Sequence, residues 1–164
     1  MGASPHRGAR LSGPAAGPSG AGPAPTELHV PADLGSLTAI AHFVRGVAVA
    51  AGLDRGAAYR LRLAVDELAT NIVTHGYRGG EGRITVRGRA GAGRARIVLE
   101  DGAPEFDPVA GRLPPATDLP PERRRIGGLG IHLALTSVDE FRYVRREGRN
   151  ISTLTVLAGP RPRR

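Results

Sequence analysis

Residues 61–76, L-R-L-A-V-D-E-L-A-T-N-I-V-T-H-G, constrain the fold more than any other stretch of the chain. Wound as a helix at about 100° per residue, they set Leu61, Val65, Leu68 and Ile72 on one apolar stripe that has to be buried. Glu67 and Asn71, four residues apart, share the edge beside that stripe. A carboxylate and a carboxamide at the margin of a core supply oxygen ligands for a hard cation, or a base beside one. The same two residues also make an ordinary solvated pair on an amphipathic helix, so their chemistry depends on what the rest of the chain brings to them.

Around this helix the pattern alternates between the two periods. Residues 26–30 read as a short edge strand stopped by Pro31. Asp33 or Ser36 caps a first helix in which Leu37, Ile40, Ala41, Val44, Val47 and Ala48 recur at helical spacing up to Gly52. Asp54 opens the second helix, which carries Glu67 and Asn71 and stops at Gly76. Residues 84–89 and 95–100 read as strands, with G-R-A-G-A-G-R between them as a glycine-rich hairpin loop. Residues 101–126 carry six prolines, at 104, 108, 114, 115, 120 and 121, too many for a helix or an inner strand. A loop of that length inside a compact domain is a lid or a disordered segment. A short helix begins right after Gly127–Gly130, and residues 140–146 and 150–157 form a closing hairpin around Glu147 and Gly148. This order predicts an α+β two-layer sandwich, a mixed, mostly antiparallel sheet covered on one face by helices.

At 164 residues the chain suits one domain. Residues 1–25 consist of Gly, Ala, Pro and Ser at twenty positions and are expected to be a disordered tail, with residues 159–164 as a basic tail at the other end. The patterned domain is 26–158, its lid about 104–126. With no cysteine, disulfides, thiolate metal sites and cysteine nucleophiles are excluded. No run has the length of a membrane span and the N-terminal tail lacks the apolar core of a signal peptide, so a cytoplasmic protein without membrane contact is expected. The formal charge of +8 shrinks to +3 over residues 26–160, eighteen arginines against fifteen acids. With both signs interspersed, that balance reads as a solvated surface, and direct nucleic-acid binding is not expected.

Three further stretches bear on chemistry. G-G-L-G at a helix start lets backbone amides and the helix dipole face an anion. It is neither a P-loop nor a dinucleotide fingerprint, and it serves equally well as a tight turn. Asp101 ends a strand before G-A-P-E-F-D-P, where a carboxylate can accept a hydrogen bond from an exocyclic amine or simply make an Asx turn. His75 suits a capping or core-edge role. Arg123, Arg124 and Arg125 suit a solvated charge run as well as a phosphate or protein contact.

E-L-A-T-N, D-G-A-P-E-F-D-P, G-G-L-G-I-H-L and D-E-F-R-Y-V-R-R-E-G-R-N, in that order, resemble the Bergerat-fold ATP-binding superfamily of gyrase, histidine kinases and mismatch-repair ATPases. The short single-domain form is similar to the anti-sigma regulatory factors, bacterial serine/threonine kinases. The resemblance covers residues 26–157 and implies ATP and Mg2+ as cofactors. It implies Glu67 as general base, Asn71 as magnesium ligand, and Asp101 as the reader of the adenine amine. Gly127, Gly128 and Gly130 would cradle phosphate, with Leu129 and Ile131 on the apolar side, and Asn150 or Thr153 would lie near the adenine. The place of the superfamily's glycine, two positions after the aspartate, is taken by Ala103. A shift by one would put Glu100 on adenine and Gly102 in the glycine position, at the expense of an insertion before Phe106.

The function so implied is an ATP-dependent serine/threonine kinase in a partner switch, with a sigma factor and a phosphorylated antagonist protein as partners and a homodimer as its form. A non-catalytic ATP-dependent binding module would share every one of these residues. An arginine-rich nucleic-acid binder would instead show steeply salt-dependent DNA affinity that survives removal of both tails.

Overall fold

The computed structural model describes residues 26–106 and 129–159. In chain order these form β1 (Thr26–Pro31), a 3-10 turn (Leu34–Ser36), α1 (Leu37–Ala50), α2 (Arg55–Asn71) and a π-helical turn (Ile72–Gly76). Then follow β2 (Arg83–Gly91), β3 (Arg94–Asp101), α3 (Leu129–Ser137), β4 (Glu140–Arg146) and β5 (Arg149–Leu157).

The five strands make one sheet in the order β1-β2-β3-β5-β4. All four pairings among the described residues are antiparallel, the mostly antiparallel sheet expected, with no parallel pair among them to make it mixed. Two of the pairings are closed by tight hairpins, which only antiparallel neighbours permit. The first is tighter than expected: β2 and β3 run through most of the glycine-rich stretch to the pair Gly91 and Arg94, leaving Ala92 and Gly93 as the turn, with Gly93 at φ +68°. The second turns on Glu147 and Gly148, both with positive φ, as a type I′ hairpin turn requires.

Period-two alternation gives the sheet an inner face. Ile84 and Val86 on β2, Ile97 and Leu99 on β3, and Leu154 and Val156 on β5 are all essentially inaccessible to solvent. The helices supply the other half of this core. α1 contributes Ile40, Val44 and Val47 and lies over β2 and β3, while α2 lies between α1 and α3 and over β5. The stripe of Leu61, Val65, Leu68 and Ile72 is buried along its whole length. Each such side chain contributes roughly 1.5–3 kcal/mol.

Local chemistry fixes where α1 and α2 begin. The Asp33 carboxylate accepts the Ser36 amide at 2.8 Å, so Asp33 rather than Ser36 provides the side-chain cap. Asp54 accepts the Ala57 amide at 3.0 Å with one oxygen and the Gly159 amide at 2.7 Å with the other, tying the start of α2 to the residues after β5. Among the described residues no helix is long and apolar enough to cross a membrane.

Candidate functional site

Asp101 is the last residue of β3, on the inner face, and only 2% exposed. Its Oδ1 accepts the Ala103 amide at 2.9 Å and the Asn150 side-chain amide at 2.9 Å. Asn150 stands directly across from it on β5. The Asn150 amide nitrogen also donates to the carbonyls of Ala103 (3.2 Å) and Pro104 (3.3 Å). Its oxygen accepts the Tyr143 hydroxyl at 2.8 Å and an Arg145 NH at 2.6 Å, so the turn after β3 is held by β4 as well as β5. Tyr77 braces the turn from the other side, accepting the Gly102 amide at 2.8 Å. Burial pushes the Asp101 carboxyl above its ordinary range, although the bonds from Asn150 and Ala103 and the charges of Arg145 and Arg149 act the other way. Oδ2 accepts no hydrogen bond from the described residues, and Asp101 faces a cavity.

That cavity lies between the end of α2, with Leu68, Ile72 and Gly76, and the sheet, with Asn150 and Ser152. Phe106 and Tyr143 complete its walls, and its space for the centre of a water-sized sphere is about 10 Å³, enough for one water. Ala103, buried, seats its methyl against Gly76: a Cβ on Gly76 would stand 3.0 Å from that of Ala103. The missing side chain at 76 therefore makes room for the alanine at 103.

One helical turn away, Glu67 and Asn71 are both half-buried on the same edge of α2. The Asn71 amide nitrogen donates to the Glu67 carbonyl at 2.8 Å. This fixes the carboxamide and leaves its oxygen without a donor among the described residues. The Glu67 carboxylate likewise has no hydrogen-bond or ion-pair partner there. It packs against the first turn of α3, where a Cβ on Gly130 would meet its Oε2 at 2.8 Å. α2 passes into the π-helical turn immediately after Asn71, an irregularity common at functional sites.

The fold thus gathers Asp101, Ala103 and Asn150 at one end of α2 and joins Glu67 and Asn71 to Gly130 along its edge. Ile131 is buried in the core below. Gly127, Gly128 and the lid from residue 107 on, with Arg123–Arg125, lie outside the described residues, and Leu129 is described by its backbone, as the first residue of α3. Thr153 is a correction: it is one residue out of phase with Asn150 and Ser152 and lies on the outward face of the sheet. Ser152 holds the inner position instead. The shifted alternative also fails on parity, since Glu100 points outward and binds Arg87 at 2.6 Å. His75 is exposed rather than at a core edge. Tyr77, Tyr143, Arg145 and Ser152 were missed; for the last three, the signal available was strand parity with Asn150.

A profile of the histidine kinase-like ATPase domain matches residues 30–156, nearly all of the described fold. The chain belongs to the histidine kinase-like ATPase domain family. Within this family it is 33% identical to the serine-protein kinase RsbW of Listeria innocua over 107 residues, 63% of this chain and 68% of that one. It is 29% identical to the serine-protein kinase RsbW of Bacillus subtilis over 141 residues, 82% and 87% of the two chains. Its fold is similar to the crystal structure of the RsbU and RsbW domains of a Mycobacterium tuberculosis protein, with a TM-score of 0.54 at 23% identity. That match covers 82% of this chain and 33% of the larger one. Membership makes this an ATP-using domain.

Proposed function

We propose that this histidine kinase-like ATPase is a serine/threonine protein kinase that switches between protein partners. One partner is a sigma factor held inactive by binding, and the other an antagonist protein released when phosphorylated. The observation that carries the reading is the Glu67 carboxylate, without a hydrogen-bond or ion-pair partner among the described residues, set against Gly130 at the start of a helix and beside the Asn71 oxygen, which likewise has no donor among them.

Phosphoryl transfer needs positioning, a cation and a poised base more than covalent chemistry. In this reading Glu67 takes the proton from the attacking serine or threonine hydroxyl, or from water. The Asn71 oxygen, a hard neutral donor freed by the bond its nitrogen makes, would be a ligand for Mg2+. The ion, when bound, neutralises charge developing on the phosphates. By the family resemblance Gly127, Gly128 and Gly130 would hold the phosphates with Leu129 and Ile131 beside them, and Asp101 Oδ2 would accept the adenine amine. Asn150 orients that carboxylate from behind, Ala103 packs beneath the base, and Ser152 is better placed near it than Thr153. Seating adenine requires this cavity to widen, because it has room for about one water.

The functional unit is residues 26–158, with the lid at 104–126, working in the cytoplasm. Transfer of labelled phosphate from ATP to a cognate antagonist, abolished by Glu67→Ala with Mg-ATP binding retained, tests the reading. If Mg-ATP binds and raises the melting temperature but no partner is phosphorylated, the domain is a non-catalytic nucleotide-dependent regulator.

A further inference from the structure

The outward face of the sheet has a charge balance that the linear sequence conceals. Register places Arg83, Arg87 and Arg89 of β2, Arg94 and Arg96 of β3, and Arg142 of β4 on the body of that face, away from the helices. Against these six stand three acids, Glu27 of β1, Glu100 of β3 and Glu140 of β4. Arg146 and Arg149 share the same parity at the β4–β5 hairpin end, beside Glu147, which Arg146 binds at 3.3 Å. The excess of three over the body of the face already equals that of the whole stretch 26–160, so the fold concentrates on one side a charge that looked dispersed along the chain.

The three glutamates are already engaged. Arg87 binds Glu27 at 3.1 Å and Glu100 at 2.6 Å, and Arg94 binds Glu140 at 3.3 Å. Arg83, at the start of β2, and Arg89, Arg96 and Arg142 further along the face are exposed and have no ion-pair or side-chain hydrogen-bond partner among the described residues. Moreover Arg89 and Arg96 stand directly opposite each other on β2 and β3. Like charges in that position destabilise a sheet, and no acid among the described residues pairs with either. Between the arginines lie Val98, Ile151 and Thr153, all half-buried.

We propose that this outward sheet face is a docking surface for an acidic protein partner, with Arg89, Arg96 and Arg142 as its anchoring cations. A charge-complementary partner would relieve the Arg89–Arg96 repulsion and cover the apolar centre. A second copy of the chain would bring the same unpaired arginines against themselves. Nucleic acid fits less well, since among the described residues the only aromatic-type ring on this face is that of His29, and the paired glutamates sit among the cations.

The experiment uses the full chain and two labelled probes of equal nominal charge, a twenty-residue oligoglutamate and a single-stranded oligonucleotide. The triple variant R89Q/R96Q/R142Q is compared with wild type and with the tail variant R161Q/R163Q/R164Q, and melting temperature and self-association are followed in parallel. The expected result is salt-dependent oligoglutamate binding that the triple variant weakens at least roughly tenfold and the tail variant leaves unchanged. The melting temperature of the triple variant should be no lower than that of wild type. Equal oligoglutamate binding by wild type and triple variant overturns the proposal. So does tighter binding of the oligonucleotide at the same arginines, or a dimer that the triple substitution dissociates.

Discussion

The Glu67 carboxylate rests against the backbone of Gly130, so closely that a methyl group at 130 would stand 2.8 Å from Oε2 and 3.3 Å from Oε1. The obstructed atoms are the end of a flexible side chain, so the fold can absorb a methyl there by letting Glu67 swing away. The expected outcome for Gly130→Ala is a melting temperature close to wild type with phosphotransfer reduced about 10²-fold, the usual result of displacing a reacting group by an ångström. Glu67→Gln should lose roughly 10²- to 10⁴-fold while still binding Mg-ATP. Single-turnover assays with calorimetric measurement of Mg-ATP affinity distinguish the two, and wild-type rates in Gly130→Ala would show that this contact does not position the base.

Asp101 is held above its ordinary pKa of 3.8 mainly by burial. The native state therefore keeps its proton at pH values where the unfolded chain has already released it. Ionisation thus costs the native state stability, a cost that sets in as pH rises from 3.8 through the folded value and is absent below 3.8. Asp101→Asn can keep both hydrogen bonds now made to Oδ1 and removes the charge. It should melt at or above the wild-type temperature at pH 7, with the difference closing in acid. Its amide nitrogen would meet the adenine amine donor to donor, so ATP affinity should fall about 10- to 100-fold. A pH series of melting curves with and without Mg-ATP separates the two effects. A variant less stable at pH 7 than at pH 4, relative to wild type, would mean that ionised Asp101 stabilises the fold instead.

Asn150 links three side chains, those of Asp101, Tyr143 and Arg145, to the turn at Ala103 and Pro104. Asn150→Ala leaves the buried Asp101 carboxylate short of a bond, along with the half-buried Tyr143 and the exposed Arg145, a loss of about 1–3 kcal/mol. Chemical denaturation should show it as a lower midpoint at unchanged slope. Ser152→Ala, which removes a hydroxyl from the same cavity without touching this network, should cost far less stability.

Gly88 allows α1 to lie flat on β2. A Cβ there would collide with Val47 and touch Phe43 at 3.0 Å, and these are packed side chains with little freedom to yield. Gly88→Ala should destabilise by about 1–3 kcal/mol. Nucleotide affinity of the folded fraction should stay unchanged, because β2 contributes no residue to the cavity. A loss of Mg-ATP affinity in folded protein would show that α1 packing reaches the site.

Much of this was legible in the chain because it depends on near neighbours. The stripe from Leu61 to Ile72, the shared edge of Glu67 and Asn71, the Asp54 cap and the turn at Glu147 and Gly148 are set by helical geometry, by hydrogen bonds over three residues and by φ preferences. Asp101 at a strand end was legible for the same reason. Thr153 was misplaced because counting along one strand gives two faces without saying which is covered.

The sequence by itself determined the elements, their order and the helix edge that carries an acid beside an amide, since periods of 3.6 and 2 are properties of a covalent chain. Only the tertiary structure decided that Asn150 would bond Asp101 across 49 positions, that Ala103 would fit against Gly76, and that arginines with no ion-pair partner among the described residues would gather on one face. Those outcomes follow from strand register and from which side of the sheet the helices cover, and both are settled by packing between residues far apart in the chain.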